Sequence, residues 1–339
     1  MQQAMTEERG EQFSTTELGS IKKQIPQPSR LKYILVIIKI LAGLALLILS
    51  IQGIHWEDLV SGIRTANFAW LALAIGLVLL GLFLKVWRWA IFIKNYSVQS
   101  STAKLFSAYF VGQAVNIILP MRGGELVRIG YFAGDAKILP EIISTIALEK
   151  YLDLLALTVC GILVSLKFSL DNISNLGGWL LPLTGFLTLV FLVAILFGPA
   201  IWEHIRTGKV LPKRILDWVD RWVQAGHWLR SPRQVFPVVL LTILIWGVMW
   251  FTNLLLFKSF GLQLGGTAAG LVLILVYVGL LPALMPGNIG PFYFFARLAL
   301  LPFGILDDQA FIYAVTLHAI VTLPPLLGGV IGLLVRQNH

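Results

Sequence analysis

The chain has 339 residues, of which 57% are hydrophobic and 13% are charged, and this excludes a water-soluble globule, in which about 25% of residues are charged. Its net charge of +9 would suit nucleic acid, but the basic residues stand beside apolar segments, as in the cytoplasmic loops of membrane proteins. The composition therefore predicts an all-α polytopic membrane protein with no nucleic acid partner.

The sequence contains no pattern typical of a metal site, a cofactor site or a disulfide. Its one cysteine, Cys160, lies in an apolar run, where a free thiol packs as a small hydrophobic side chain. The five histidines are scattered, and no phosphate-binding loop, nucleophile elbow or zinc-protease helix occurs. We therefore predict neither a metal nor a cofactor.

Residues 1–32 are polar and charged and contain no early apolar segment. This composition predicts a disordered tail rather than a signal peptide. Basic residues precede the first apolar span, residues 33–51; they are Lys22, Lys23, Arg30 and Lys32. Because positive charge gathers on the cytoplasmic side, we place the tail in the cytoplasm and assign residues 33–336 to a single transmembrane domain.

The second predicted span, residues 69–93, ends in a group of basic and aromatic residues. These are Lys85, Trp87, Arg88, Trp89 and Lys94. Such residues are typical of the membrane–water interface, where long basic side chains reach the headgroups. We predict that they anchor the span at the inner surface and have no further function.

The apolar pattern breaks in residues 103–134. The helix breakers are Pro120, Gly123 and Gly124, and the charged residues beside them are Arg122, Glu125 and Arg128. This segment is too short for two crossings of roughly 30 Å with a turn between them. We predict a re-entrant hairpin that enters and leaves on the cytoplasmic side; a simple loop between two spans is the alternative.

Four further full spans are predicted, at residues 142–168, 179–198, 235–257 and 309–335. Between the second and third of these, residues 199–234 are basic, and their apolar residues recur at helical spacing. This pattern predicts an amphipathic cytoplasmic helix that lies on anionic phospholipids. The C-terminus is predicted on the same side.

A second group of helix breakers, Pro286, Gly287 and Gly290, closes a later apolar run. Pro286 and Gly290 are four residues apart, as are Pro120 and Gly124. Because an odd number of full spans separates the two groups, the second hairpin should enter from the outside. We predict a weak inverted repeat of about six full spans and two re-entrant hairpins, or about eight hydrophobic segments, which is typical of transporters.

Three charged residues, Glu149, Lys150 and Asp153, can approach one face of the third full span. Unpaired near the bilayer centre, three charges would cost about 8–10 kcal/mol, so these side chains must face protein or water. They either neutralise one another or pair with Arg122 or Arg128 of the first hairpin.

The last span carries His318 at the corresponding place in the second half. This histidine either makes ordinary hydrogen bonds inside the protein or takes part in proton coupling.

The residues around both breaks resemble a known family. The pattern comprises Asn116, Pro120, Arg122, Gly124, Glu125, Arg128, Glu149, Lys150 and Asp153, with Pro286, Gly290, His318 and Pro324 in the second half. It resembles, over residues 31–336, the flippase-like integral membrane family that also forms the N-terminal membrane domain of lysylphosphatidylglycerol synthases. Two positions depart from the family: Lys150 replaces the usual arginine and loses its planar fork, and Pro291 replaces a common acidic residue.

The resemblance implies movement of a lipid or a lipid-linked anionic headgroup between the leaflets of the plasma or inner membrane. Arginine offers paired donors to phosphate, so we expect the headgroup to bind at the first break and the charged span. The expected binding residues are Asn116, Arg122, Glu125, Arg128, Glu149, Lys150, Asp153 and His318. The soluble aminoacyl-transferase domain of the synthases would need a long polar extension, so we do not expect this chain alone to transfer lysine.

Two other functions stay open. The first is an intramembrane enzyme that modifies a lipid with Glu125 or Asp153 as its base. The second is a scaffold without transport activity, which docks a partner lipid-synthesis enzyme through the basic helix predicted at residues 213–228. We favour transport over catalysis because no nucleophile and base stand at a recognisable spacing.

Overall fold

The computed structural model describes residues 30–52, 57, 62, 64–119, 123–134, 138–170, 186, 204, 231–282 and 285–337. Within these residues every regular element is a helix and no strand occurs, which confirms the all-α class. The chain divides into two units, Met1–Ala42 and Gly43–His339. In the first unit the described residues form the start of one helix, and the contacts reported below belong to the second.

The helices are α1 (Arg30–Ile51), α2 (Phe68–Asn95), α3 (Thr102–Ile118), α4 (Gly124–Gly130), α5 (Leu139–Leu170), α6 (Pro232–Ser259), α7 (Gly266–Gly279), α8 (Pro291–Leu300) and α9 (Asp307–Gln337). Short 3-10 turns occupy Pro286–Asn288 and Leu301–Phe303. Several helix ends follow from local polar residues. The side chain of Asn67 accepts hydrogen bonds from the first backbone amides of α2, and Ser101 does the same for α3.

Three of these helices, α2, α6 and α9, are long and apolar enough to cross a membrane. Shorter apolar stretches lie in α1, at Ile38–Ile51, and in α7. The longest helix, α5, has 32 residues, but charged residues interrupt its apolar sequence. The protein is therefore a polytopic helical membrane protein, in agreement with the spans predicted for these segments.

The first predicted break lies between α3 and α4. The helix α3 ends at Ile118, and α4 starts at Gly124 and runs against α3. A Cβ atom on Gly124 would overlap the carbonyl oxygen of Gly112, so this close crossing requires glycine. Pro120, Met121 and Arg122 lie outside the described residues. The helix break is confirmed, and the re-entrant path of the two arms stays a prediction.

The second predicted break lies between α7 and α8. The backbone passes through positive φ at Gly287 (65°) and Gly290 (90°), a region that glycine enters without steric cost. Pro291 then begins α8, where its missing N–H needs no partner. The breakers of the second half therefore act where the sequence predicts.

The helix contacts occur in two matching sets. In the first half α3 packs against α4, and α4 against α5; in the second half α7 packs against α8, and α8 against α9. Across the halves α2 pairs with α6, α3 with α9 and α7 with α5, while α3 also contacts the turn Pro286–Asn288. Small residues allow the α3–α9 contact, since Gly328, Gly329 and Gly332 lie directly against α3.

Several predictions fall on segments that the structure does not describe. The span of residues 179–198 and the basic segment 199–234 lie almost wholly outside the described residues, as do residues 1–29 of the tail. The number of full spans and the domain boundaries therefore stay predictions.

Candidate functional site

Asn116 links the two sides of the first break. Its side-chain oxygen accepts a hydrogen bond from the backbone N–H of Gly124 at 2.8 Å, and its amide nitrogen lies 3.3 Å from Glu125 Oε1 as donor. The first N–H groups of a helix have no acceptor within that helix, so Asn116 of α3 supplies an acceptor for the first N–H group of α4. This contact places Glu125 and Arg128, both on α4, beside α5.

Arg128 and Glu149 form a buried ion pair between α4 and α5. The Nη2 atom of Arg128 lies 2.7 Å from Glu149 Oε2, and both side chains are 5% exposed. The guanidinium carbon lies 4.1 Å from the ring centre of Trp89 and 4.9 Å from that of Tyr109, so aromatic faces also stabilise the cation. Of the two alternatives weighed for Glu149, the structure therefore shows the pair with Arg128.

Lys150 and Glu125 form a second ion pair, closer to the surface of the protein. Their charged atoms lie 2.9 Å apart, and the side chains are 50% and 22% exposed. Lys150 follows Glu149 directly, but on a helix neighbouring residues point about 100° apart. The Lys150–Glu125 pair therefore joins α4 to α5 at an accessible edge, and the Arg128–Glu149 pair joins them at a buried centre.

Asp153 forms a third ion pair, and its partner was missed from the sequence. Arg88 Nη2 lies 2.9 Å from Asp153 Oδ1, and Nη1 of the fully buried arginine donates to Thr242 at 3.1 Å. The prediction that Arg88 anchors α2 at the membrane surface is wrong. One feature of the sequence indicated that Arg88 lies inside the helix and not at its end. The apolar residues 90–93 follow Arg88, so the helix continues beyond it.

The three charged residues of α5 thus reach three different partners. Glu149 binds Arg128, Lys150 binds Glu125, and Asp153 binds Arg88 of α2. Six of the eight predicted headgroup residues meet in this charged site, which also includes Arg88. Arg122 lies outside the described residues. That these residues bind a headgroup stays a prediction.

His318 belongs to a separate cluster at the second break. Its Nε2 lies 2.7 Å from the carbonyl oxygen of Gly287, and its Nδ1 lies 3.0 Å from the hydroxyl of Tyr293. The Phe292 ring stacks on the imidazole at a centroid distance of 4.6 Å. Since a carbonyl can only accept, Nε2 carries the proton, and in the neutral ring Nδ1 then accepts from Tyr293.

Metal binding finds no support in the described part of the chain, where no group of three histidine, cysteine or carboxylate side chains could hold an ion. The described chemistry of the site is that of guanidinium, ammonium and carboxylate groups.

The fold and this site define a multi-pass helical membrane protein with buried ion pairs beside a broken helix. The chain belongs to the lysylphosphatidylglycerol synthase transmembrane region family, whose model matches residues 36–329. This match confirms the resemblance found in the sequence, and the family indicates a function related to membrane lipids. No curated protein matches the chain.

Proposed function

We propose that the protein moves a lipid, or a lipid-linked headgroup with an anionic group, between the two leaflets of the cell membrane. The observation that carries this proposal is Arg128, a buried arginine beside a helix break, whose guanidinium packs against two aromatic rings. An anionic headgroup can enter an apolar interior only where a cation replaces its water, and arginine donates to phosphate through a planar fork.

In this proposal Glu149 occupies the position on Arg128 that the anionic headgroup takes during transport. Its carboxylate presents the same kind of acceptor oxygens to Arg128 as a phosphate does. The buried Nε of Arg128 has no hydrogen-bond partner among the described residues, so the guanidinium retains donor capacity for a second anion. We infer that a headgroup binds as Glu149 moves aside, and that it enters past Lys150 and Glu125, whose side chains are 50% and 22% exposed.

The two halves support alternating access around this site. Their matching helix contacts are those expected of an inverted repeat, and the connecting side chains match as well. Arg128 and Glu149 join the short helix to the long one in the first half, as Tyr293 and His318 do in the second. The connecting contact is an ion pair in the first half and a hydrogen bond in the second, so we propose that the first half binds the headgroup charge.

The test is lipid scrambling by the purified protein in liposomes with fluorescent phosphatidylglycerol. We expect Arg128→Ala to abolish lipid movement and Arg128→Lys to restore part of it, because an ammonium is a point charge without a fork. Arg64→Ala removes an exposed arginine and serves as the matched control. Wild-type transport by Arg128→Ala would contradict the proposal, and a chemically new lipid would favour the enzyme.

The proposal includes the orientation of the protein in the membrane. We place both termini and the basic segment 199–234 in the cytoplasm, where the segment lies on anionic phospholipids and could dock a partner lipid-synthesis enzyme. A cysteine placed at Lys209 in a Cys160→Ser background tests this orientation. Labelling of that cysteine by a membrane-impermeant reagent added only from outside the cell would contradict it.

A further inference from the structure

A cavity of about 420 Å³ lies where the start of α2, the end of α6 and the loop before α7 meet. Its lining residues are Trp70, Lys258, Gly261, Leu262, Gln263 and Leu264. With 28 residues α2 is about 42 Å long and exceeds the hydrocarbon core of roughly 30 Å, so its ends reach the headgroup layers. Trp70 and Arg88 of the charged site are 18 residues apart on α2, about 27 Å along its axis. The cavity therefore lies at the membrane surface farther from the charged site.

Hydrogen bonds between the two helix ends fix the frame of the cavity. The backbone N–H of Asn67 donates to the carbonyl oxygen of Ser259 at 2.7 Å, and the Ser259 hydroxyl donates to the carbonyl oxygen of Asn67 at 3.2 Å. The helix α6 then ends in a Schellman motif, in which the N–H of Leu262 donates to the carbonyl oxygen of Phe257 at 2.9 Å. This motif needs a positive φ at Gly261 (68°), which glycine adopts without steric cost. The walls of the cavity are therefore preformed.

The polar side chains of the cavity are an ammonium, an indole and an amide. The ammonium nitrogen of Lys258 lies 4.9 Å from the centre of the Trp70 ring, whose face attracts the cation. An ammonium has three N–H donors, so this contact leaves donors for a ligand, and Gln263 adds an amide. None of the described lining residues is acidic. Since its volume also lies within the roughly 300–1,000 Å³ of small-ligand sites, the cavity has the size and the charge for an anionic group.

We propose that this cavity binds the phosphate group of an anionic phospholipid headgroup in the leaflet farther from Arg128. The phosphate accepts a charge-assisted hydrogen bond from Lys258, whose flexible stem lets the ammonium follow the headgroup. A lipid that crosses the membrane must enter the protein at one surface and leave it at the other, and the charged site serves only one of them. This inference rests on the proposed function only in that the bound lipid is the transported one.

An anchor at the membrane surface is the other role typical of a lysine and a tryptophan at this depth. The two roles differ in how the lipid binds. An anchor contacts any anionic surface, and its contacts grow with the surface charge without saturation. A cavity takes one headgroup, so saturable binding that depends on Lys258 is the result that separates a site from an anchor.

The test is fluorine NMR on the purified full-length protein in detergent, with its tryptophans replaced by 5-fluorotryptophan. The signal of Trp70 is the one that disappears in Trp70→Phe. We expect short-chain dihexanoyl phosphatidylglycerol to shift this signal and the shift to saturate. Lys258→Gln should weaken this binding about 10-fold or more, as the loss of a charged hydrogen bond does, and Lys258→Arg should retain most of it.

Lys94→Gln is the matched control, because Lys94 is likewise an exposed lysine in the last turn of a long apolar helix. It should leave the response of the Trp70 signal to the lipid unchanged. Lys258→Gln should unfold at about the wild-type temperature, since the side chain is exposed, so a loss of binding is not a loss of fold. A shift without saturation, or equal binding by the wild type and Lys258→Gln, would overturn the proposal.

Two further ligands identify the source and the charge of the bound phosphate. Inorganic phosphate carries the same group without acyl chains, and a shift of the Trp70 signal at concentrations as low as those of the lipid would overturn the lipid part of the proposal. Zwitterionic dihexanoyl phosphatidylcholine should bind more weakly, because its choline offsets the negative charge. Equal binding of the two lipids would overturn the preference for an anionic headgroup.

The outcome is separate from that of the transport experiment. Saturable binding that depends on Lys258, without scrambling, would support the cavity site and refute the proposed function. Scrambling by a protein whose Trp70 signal does not respond to the lipid would refute the cavity site and support the proposed function.

Discussion

Neutralising either member of the buried pair Arg128–Glu149 should destabilise the protein strongly, and neutralising both should cost less than the sum. With charge centres about 4 Å apart at an effective dielectric constant of about 20, their attraction is about 4 kcal/mol. Removing one partner leaves the other charge buried and unpaired, which costs about 3–5 kcal/mol. Arg128→Gln and Glu149→Gln should each lower the free energy of unfolding by this amount, and a double-mutant cycle should give a coupling energy of about 2–3 kcal/mol.

The neighbouring pair Lys150–Glu125 provides the matched control. Its charged atoms are almost as close, at 2.9 Å, but its side chains are 50% and 22% exposed. Exposed pairs contribute about 0–1 kcal/mol, so the same cycle at these residues should give a much smaller coupling energy. The measurement is reversible unfolding in mixed micelles of a mild detergent and dodecyl sulfate, with four proteins in each cycle.

Equal coupling energies in the two cycles would refute this reasoning, because burial would then make no difference to the pairs. Strictly additive effects of Arg128→Gln and Glu149→Gln on the free energy of unfolding would contradict more than this comparison. They would mean that the two charges do not share a water-poor site, and the proposed headgroup site would lose the observation on which it stands.

Two further predictions concern the break and the third ion pair. Gly124→Ala should lower the unfolding temperature in detergent, because the new methyl group overlaps the carbonyl of Gly112 and overpacking costs about 1–3 kcal/mol. The control is Gly130→Ala on the same helix, where the new methyl group meets nothing within 4 Å and should be tolerated. Arg88→Gln should also lower the unfolding temperature, since it leaves Asp153 without its cation, and adding Asp153→Asn should recover part of the loss. Equal effects of the two glycine changes, or no effect of Arg88→Gln, would contradict the respective contact.

The sequence by itself determined where helices run and where they break. Long apolar segments must form helices in a membrane because lipid offers no partners to backbone N–H and C=O groups. Proline and glycine act on the backbone locally, so the end of α3 at Ile118 and the start of α8 at Pro291 adjoin the predicted breakers. The sequence also placed the charged residues Glu149, Lys150 and Asp153 within an apolar span, where their side chains need partners from the protein.

Only the tertiary structure decided which partners these are. Arg88 and Asp153 are 65 residues apart, and they meet because α2 and α5 pack against each other. A group of basic and aromatic residues has the same composition at the membrane surface and inside a helix bundle. Whether Lys85 and Arg88 reach the headgroups or the interior depends on the helices that cover them, and that arrangement is a property of the packed chain and not of the local sequence.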